Sequence, residues 1–188
     1  MTDRVTPSPS KTLPERIQQS DREAFESAVT AYQDALYRYA AGIAGSASAG
    51  DVVQDVFLKL WEMRESLSIR ISLKALLYRM TRNRALNMRR KLRRVELPGE
   101  LPEPGAPDQE SSQDLERLVR EGIRAMPPRR SEAFLLSRYH ALTHDQIARI
   151  MGLSVRTVQT HIVHALRDLR AHLDLHREAG MHAEEARS

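Results

Sequence analysis

Between Ser154 and Arg167 the chain gathers Arg156, Thr157, Gln159, Thr160, His161 and His164 with no carboxylate among them. Their chemistry is recognition: arginine can fork onto a guanine edge or a phosphate, and glutamine both donates and accepts. No cysteine is present and no carboxylate motif accompanies the histidines. No catalytic residue, metal ligand, cofactor or small-molecule substrate is therefore expected.

These side chains need a rigid element to present them. Thr143 can cap a short helix carrying Ile147, Ala148 and Met151 inward, and Gly152 supplies the left-handed backbone that reverses the chain. Ser154 restarts it. A second helix then buries Val155, Val158, Ile162, Ala165, Leu166, Leu169 and Leu173, leaving Arg156, Thr160, Val163 and Arg167 opposite. This is the order of a DNA-reading helix-turn-helix, whose second helix enters the major groove N-terminus first. Arg156, Thr157, Gln159 and Thr160 are the natural base readers, with His161, His164, Arg167 and Arg170 nearer the phosphates. Ala148 keeps the two helices close. The plainer reading is a helical hairpin with a solvated polar face.

With 188 residues, 41% of them hydrophobic, and no cysteine, the chain can bury one or two small cores and depends on no disulfide. A reducing cytoplasm is the expected location. No apolar run is long enough to span a bilayer, and the Pro- and Ser-rich start lacks a signal peptide's hydrophobic segment. The net charge of +4 is unevenly spread: Arg79 to Arg94 holds eight basic residues and no acid, and Val95 to Asp114 holds six acids and no base. Such distribution matters more to an anionic partner than the total.

Helical periodicity runs through both halves, and no strand-like alternation of useful length or internal repeat is present. Ser20 and Glu23 form a candidate capping box for a helix burying Phe25, Ala28, Val29, Tyr32, Leu36, Ala40 and Ile43, which Gly42 to Gly50 ends. Further helices are expected over 51–62 and from about Ser72 into the basic run, with 63–71 as a loop. After the acidic stretch with its four prolines, Leu115, Leu118, Val119 and Ile123 mark another helix. Pro127 and Pro128 break it, and Phe134, Leu135 and Tyr139 line the next. The expected fold is all-α: two small helical domains joined by a flexible acidic Pro-rich linker, the second containing the helix-turn-helix. The boundaries are a tail over 1–19, a first domain over 20–95, a linker over 96–112, a second domain over 113–175 and a tail over 176–188.

On the helix DVVQDVFLKLWE, Val52, Val53, Val56, Phe57 and Leu60 make a core face, while Asp51, Asp55, Leu58 and Glu62 share a narrow stripe pointing away. Acids around an exposed leucine suit docking of a basic partner; an ordinary solvated face is the alternative. The next helix buries Leu73, Leu76, Leu77 and Met80 and carries more positive charge than its own acids can neutralise. It must face solvent or an anion, and its affinity for phosphates would fall with salt. Complementing the helix dipole is the blander role for these arginines.

DVVQDVFLKLW, SLKALLYRMTRNRALNMRRKLRR and LTHDQIARIMGLSVRTVQTHIVHAL, in that order, resemble the sigma-70 family of RNA polymerase sigma factors, in its extracytoplasmic-function group. The resemblance covers roughly Ser20 to Leu175. It implies contact with core RNA polymerase, at the clamp helices of the beta-prime subunit through Asp51, Gln54, Asp55, Leu58 and Glu62, and also with the beta subunit. It implies melting and reading of the minus-ten promoter element by Arg79, Arg82, Asn83, Arg84, Asn87 and Arg90, with Ser66, Ser68 and Arg70 of the preceding loop capturing an unstacked base. It implies minus-thirty-five recognition by Ser154, Arg156, Thr157, Gln159, Thr160, His161, His164 and Arg167. An anti-sigma protein is a further implied partner. Many relatives carry tryptophan at Leu76 and aspartate at Asn87, which leaves open how the first lobe supports strand separation.

A response-regulator type of transcription factor shares the LTxxxIAxxxGLSxRTVxTH pattern. It requires a receiver or ligand domain upstream, for which the residues before the linker offer no alternating strands. A metal protein is a second rival, since His140 with His144 and His172 with His176 have i,i+4 spacing. Without a carboxylate motif beside either pair, surface or phosphate-facing histidines are the simpler reading.

Overall fold

The computed structural model describes residues 11–67, 72–95 and 112–185, and every element among them is helical. The expected linker falls outside the described residues apart from Ser112. Contacts divide the chain into two units, one ending at Pro104 and the other beginning at Gly105. No described helix is long and apolar enough to cross a membrane.

The first unit opens on α1 (Leu13–Gln18), within the segment expected to be a tail. A helix this short shows too few turns for a periodic signal. Ile17 is nonetheless fully buried, and Gln18 Nε2 donates to the carbonyls of Glu65 and Leu67 at 3.4 and 3.3 Å. The Thr12 amide donates to Glu15 at 2.7 Å and holds that carboxyl below its ordinary range.

Helix α2 (Arg22–Ala44) is capped by Asp21, which corrects the expected Ser20–Glu23 box. Ser20 takes a left-handed φ of 62° in the turn between the helices. Asp21 then accepts from the Ala24 amide at 3.1 Å and from Arg16 Nε at 2.7 Å, and both bonds lower its pKa. The buried stripe shares Ala28, Leu36 and Ala40 with expectation but is displaced toward one flank. Ala24, Ala28, Leu36, Tyr39 and Ala40 face the core, whereas Phe25, Val29, Tyr32 and Ile43 are only half-buried.

Gly45, at φ 87°, alone breaks the chain before α3 (Ser46–Glu62), so Gly42 and Gly50 both lie within helices. A 3-10 turn at Arg64–Ser66 precedes α4 (Leu73–Val95). Helices α2, α3 and α4 pack on one another around Leu36, Val52, Leu60, Leu77 and Tyr78. Leu76 is buried too, so its departure from the family pattern falls on a packing position. Thr81 is fully buried but donates to the Leu77 carbonyl at 2.9 Å, which removes the cost of an unpaired hydroxyl. Burial pushes the Tyr78 hydroxyl up to about 12.

The second unit comprises α5 (Ser112–Ala125), α6 (Pro128–Arg138), α7 (His144–Met151) and α8 (Val155–Glu185). Helices α5, α6 and α7 each pack on α8, with Ile123, Met126, Phe134 and Ala165 at one centre and Val119, Leu135 and Leu169 around it. Pro128 opens α6, where its missing amide costs nothing. The Thr143 cap holds: its hydroxyl accepts from the Gln146 amide at 3.3 Å, and Gln146 returns a contact to the Thr143 amide at 2.9 Å. Gly152 adopts φ 65°, ψ 43°, the left-handed reversal expected of it.

Three residues of the expected apolar faces are exposed instead, Leu115 of α5 among them. Tyr139 sits at the α6 C-cap, 62% exposed, and Leu166 is 42% exposed at the flank of a stripe centred on Val158, Ile162, Ala165 and Leu169. Helix α8 also continues to Glu185, into the expected C-terminal tail.

Leu77 has no exposure, so Leu77→Ala leaves a cavity in the first unit. It should cost about 2–5 kcal/mol, measured by denaturant unfolding followed at Trp61.

Candidate functional site

Asp51, Gln54, Leu58 and Glu62 are exposed along α3, as their spacing requires, and Leu58 leaves 56% of its surface in solvent. Glu62 takes an ammonium hydrogen bond from Lys59 at 3.0 Å. Leu58 also lines a groove of about 450 Å³ between α2 and α3, with Phe25, Val29, Tyr37, Val53 and Phe57. Of the stripe, Gln54 and Leu58 thus belong to one wall of a groove whose other wall comes from α2. Sequence reasoning missed that wall because it assigned Phe25 and Val29 to the interior. The usable signal was Tyr37, an aromatic residue outside the expected stripe and 42% exposed. Phe25 stands edge-on to Phe57 at 6.2 Å and lies 4.9 Å from Trp61, so two rings of the groove lining belong to an aromatic cluster. The Arg64 guanidinium caps that cluster 4.5 Å above Trp61.

Asp55 behaves differently from its neighbours on α3. It accepts from Arg84 Nε of α4 at 2.6 Å, with a second contact from Nη2. The expectation that the basic helix faces only solvent or an outside anion is therefore corrected at Arg84, which pairs with Asp55. Packing of α4 on α3 brings the two together across 29 residues of sequence.

On the outer side of α4, Arg79, Asn83, Asn87 and Arg90 form one exposed stripe, with Arg90 donating to the Asn87 side chain at 3.0 Å. Arg82 is half-buried and engaged within the protein. Ser66 is exposed at the end of the 3-10 turn, where its hydroxyl donates to the Met63 carbonyl at 2.8 Å. Ser68 and Arg70 lie outside the described residues.

In the second unit, α8 presents Arg156, Gln159, Thr160, Val163 and Arg167 to solvent, with Thr157, His161 and His164 half-buried beside them. Ser154 Oγ accepts from the Thr157 amide at 3.0 Å and lies 2.7 Å from its hydroxyl, so this pair caps the helix. Thr160 donates back to the Arg156 carbonyl at 3.0 Å. That leaves the end groups of Arg156 and Gln159 as donors without a partner among the described residues. Val163, 63% exposed, adds an apolar contact beside them.

Arg130 of α6 pairs with Asp168 of α8, and the charges of Arg129 and Arg130 both act on His161. Neither arginine was singled out from the sequence, although both follow the Pro127–Pro128 helix start. Burial first, then Arg130, Arg129 and His164, holds the His161 imidazole below its ordinary value.

The family description Sigma-70 region 2 matches residues 28–95, and Sigma-70, region 4 matches residues 116–169. The chain belongs to the sigma-70 family, in its extracytoplasmic-function group. Relatives include the ECF RNA polymerase sigma-E factor of Haemophilus influenzae, 28% identical over 81% of this chain and 89% of the relative. The corresponding Escherichia coli sigma-E factor is 29% identical over 81% and 88% of the two chains. Among solved structures, CnrH in complex with the cytosolic domain of CnrY matches with TM-score 0.65 and 22% identity, over 87% of this chain and 96% of that one. The sigma factor RpoE of Bartonella quintana, in complex with the anti-sigma factor NepR, gives TM-score 0.66 and 23% identity, over 80% and 96%. At such identity these two speak for the fold alone. The response-regulator reading is not favoured: where it needs a receiver sheet, this sigma factor has region 2 helices.

His161 carries a pH prediction. Because its proton binds less well in the folded chain than in the unfolded one, its contribution to stability is complete above about pH 6.5 and lost as pH falls below that value. His161→Gln should shrink the drop in melting temperature between pH 7 and pH 5; an unchanged drop would assign it to other groups.

Proposed function

We propose that this sigma factor docks on core RNA polymerase through the α2–α3 groove and its acidic rim, with Leu58 as the apolar anchor and Asp51, Gln54 and Glu62 around it. The beta-prime clamp is the partner of that surface, and the beta subunit contacts the second unit. Asp55 acts from beneath the rim, held by Arg84. The supporting observation is the groove itself: exposed Leu58 and Tyr37 line it together with Phe25 and Phe57, and Asp34 is a carboxylate of its wall. An apolar contact that excludes water, rimmed by charge, gives both affinity and orientation to a basic partner.

The α4 stripe of Arg79, Asn83, Asn87 and Arg90 then takes the minus-ten element. Its arginines bind phosphates of the separated strand while Ser66 and the following Ser68 and Arg70 meet an unstacked base. Helix α8 reads the minus-thirty-five element, with Arg156 and Gln159 at base edges, Val163 against a thymine methyl, and His164, Arg167, Arg129 and Arg170 toward phosphates. Ser154 and Thr157 contribute by capping the helix, and the depressed pKa of His161 makes it a neutral hydrogen-bonding group. Binding and strand capture carry the function in the cytoplasm, with no catalytic step in this chain. An anti-sigma protein covers the docking groove when initiation is silenced. One protein of the same fold, RpoE of Bartonella quintana, was solved in complex with the anti-sigma factor NepR.

Run-off transcription with core polymerase and a pool of promoters tests the scheme. Leu58→Arg, at a position already open to solvent, should leave the helical fold intact and weaken core binding at least about tenfold, some 1.4 kcal/mol. Unchanged affinity would remove the groove from the interface. Arg156→Ala should cost about 1–3 kcal/mol on the specific upstream element and relax selectivity at one base pair. An equal loss on every sequence would instead place Arg156 on phosphate.

A further inference from the structure

His172 and His176 sit one turn apart on α8, and the fold supplies what the sequence lacked beside them. Glu121 of α5 joins the pair, and one donor atom from each residue lies within 4.8 Å of the other two. The imidazole rings are 4.6 Å apart, centre to centre. His172 Nε2 is buried with no hydrogen-bond partner, an arrangement that costs free energy unless something fills it. Close approach of the helices makes the cluster possible. A Cβ on Gly122 would stand 2.8 Å from Leu169 Cδ1 and 3.0 Å from His172 Cδ2. Glycine at this point lets α5 come down onto the histidine ring.

We propose that Glu121, His172 and His176 form a binding site for a divalent transition metal of the zinc class. Two imidazoles and one carboxylate are a donor set zinc accepts, with bonds of about 2.0–2.2 Å and a fourth position left for water or an outside donor. Bringing donors from 4.8 Å to tetrahedral spacing takes small rotamer changes in His176, which is exposed, and in Glu121, whose contact with Arg117 is long at 3.4 Å. The orphaned Nε2 becomes a ligand. A bound ion ties the first helix of the second unit to the helix that presents Arg156 and Gln159. This cysteine-free chain then has a metal-dependent cross-link where a disulfide is absent. Among the described residues, His140 and His144 gain no such third donor.

The test uses the full chain, stripped with chelator and titrated with Zn²⁺ by calorimetry, and with Co²⁺ followed by its visible absorption. We expect one saturable site per chain, a tetrahedral cobalt spectrum and a higher melting temperature with zinc. His176→Ala and Glu121→Gln, each checked for retained helicity, should weaken binding by about tenfold or more, and His144→Ala should not. Absence of saturable binding overturns the proposal, and so does an affinity unchanged in either His176→Ala or Glu121→Gln.

Discussion

Burial of Val158, Ile162 and Ala165 against the helices beneath α8 sets that helix's rotation about its own axis, and the presented face follows. A helix has one circumference. Turning it by a single residue would expose this stripe and push Arg156 or Gln159 toward the core, where an unpaired guanidinium or amide costs several kcal/mol. Each buried methylene holds the correct rotation by about 0.8 kcal/mol. The Ser154 and Thr143 caps and the reversal at Gly152 then determine where along the axis the exposed polar face begins.

The same constraint organises the first unit. Val52, Val56 and Leu60 turn Leu58 and the acids of α3 outward, while Leu77, Thr81 and Ala85 turn Arg79 and Asn83 outward on α4. At the seam, Arg84 meets Asp55. Both side chains are more than a third exposed, so the pair contributes at most about 1 kcal/mol and is weakened by salt. Its consequence is geometric: it joins the proposed polymerase-facing helix to the proposed DNA-facing one. Helix α1 has a comparable part, since Gln18 and Arg64 tie the start of the chain to the turn that carries Ser66.

Legibility differed between elements for identifiable reasons. The helix-turn-helix was readable because Thr143, Gly152 and Ser154 act on amides and dihedrals within a few residues of themselves. The α2 start was misread because Ser20 and Asp21 are both competent caps. The choice fell to Asp21 through Arg16, whose helix was too short to show a period. Leu166 and Tyr139 were placed inside on hydropathy, yet each is exposed among the described residues. Phe25 and Val29 had the right period but lie at the edge of the buried stripe, and placing them inside concealed the α2 wall of the groove.

Helix type, most helix boundaries, the all-helical class and the polar face of α8 were decided by the sequence, because hydrogen bonds at i to i+4 and side chains at i+3 and i+4 are local along the chain. Three features waited for packing: the second wall of the groove, the Asp55–Arg84 pair, and the approach of Glu121 to His172 and His176. Each joins residues on different helices. Which atoms meet there depends on how close and at what rotation two helices settle, as Gly122 does for α5 against α8, and no spacing within either helix records that.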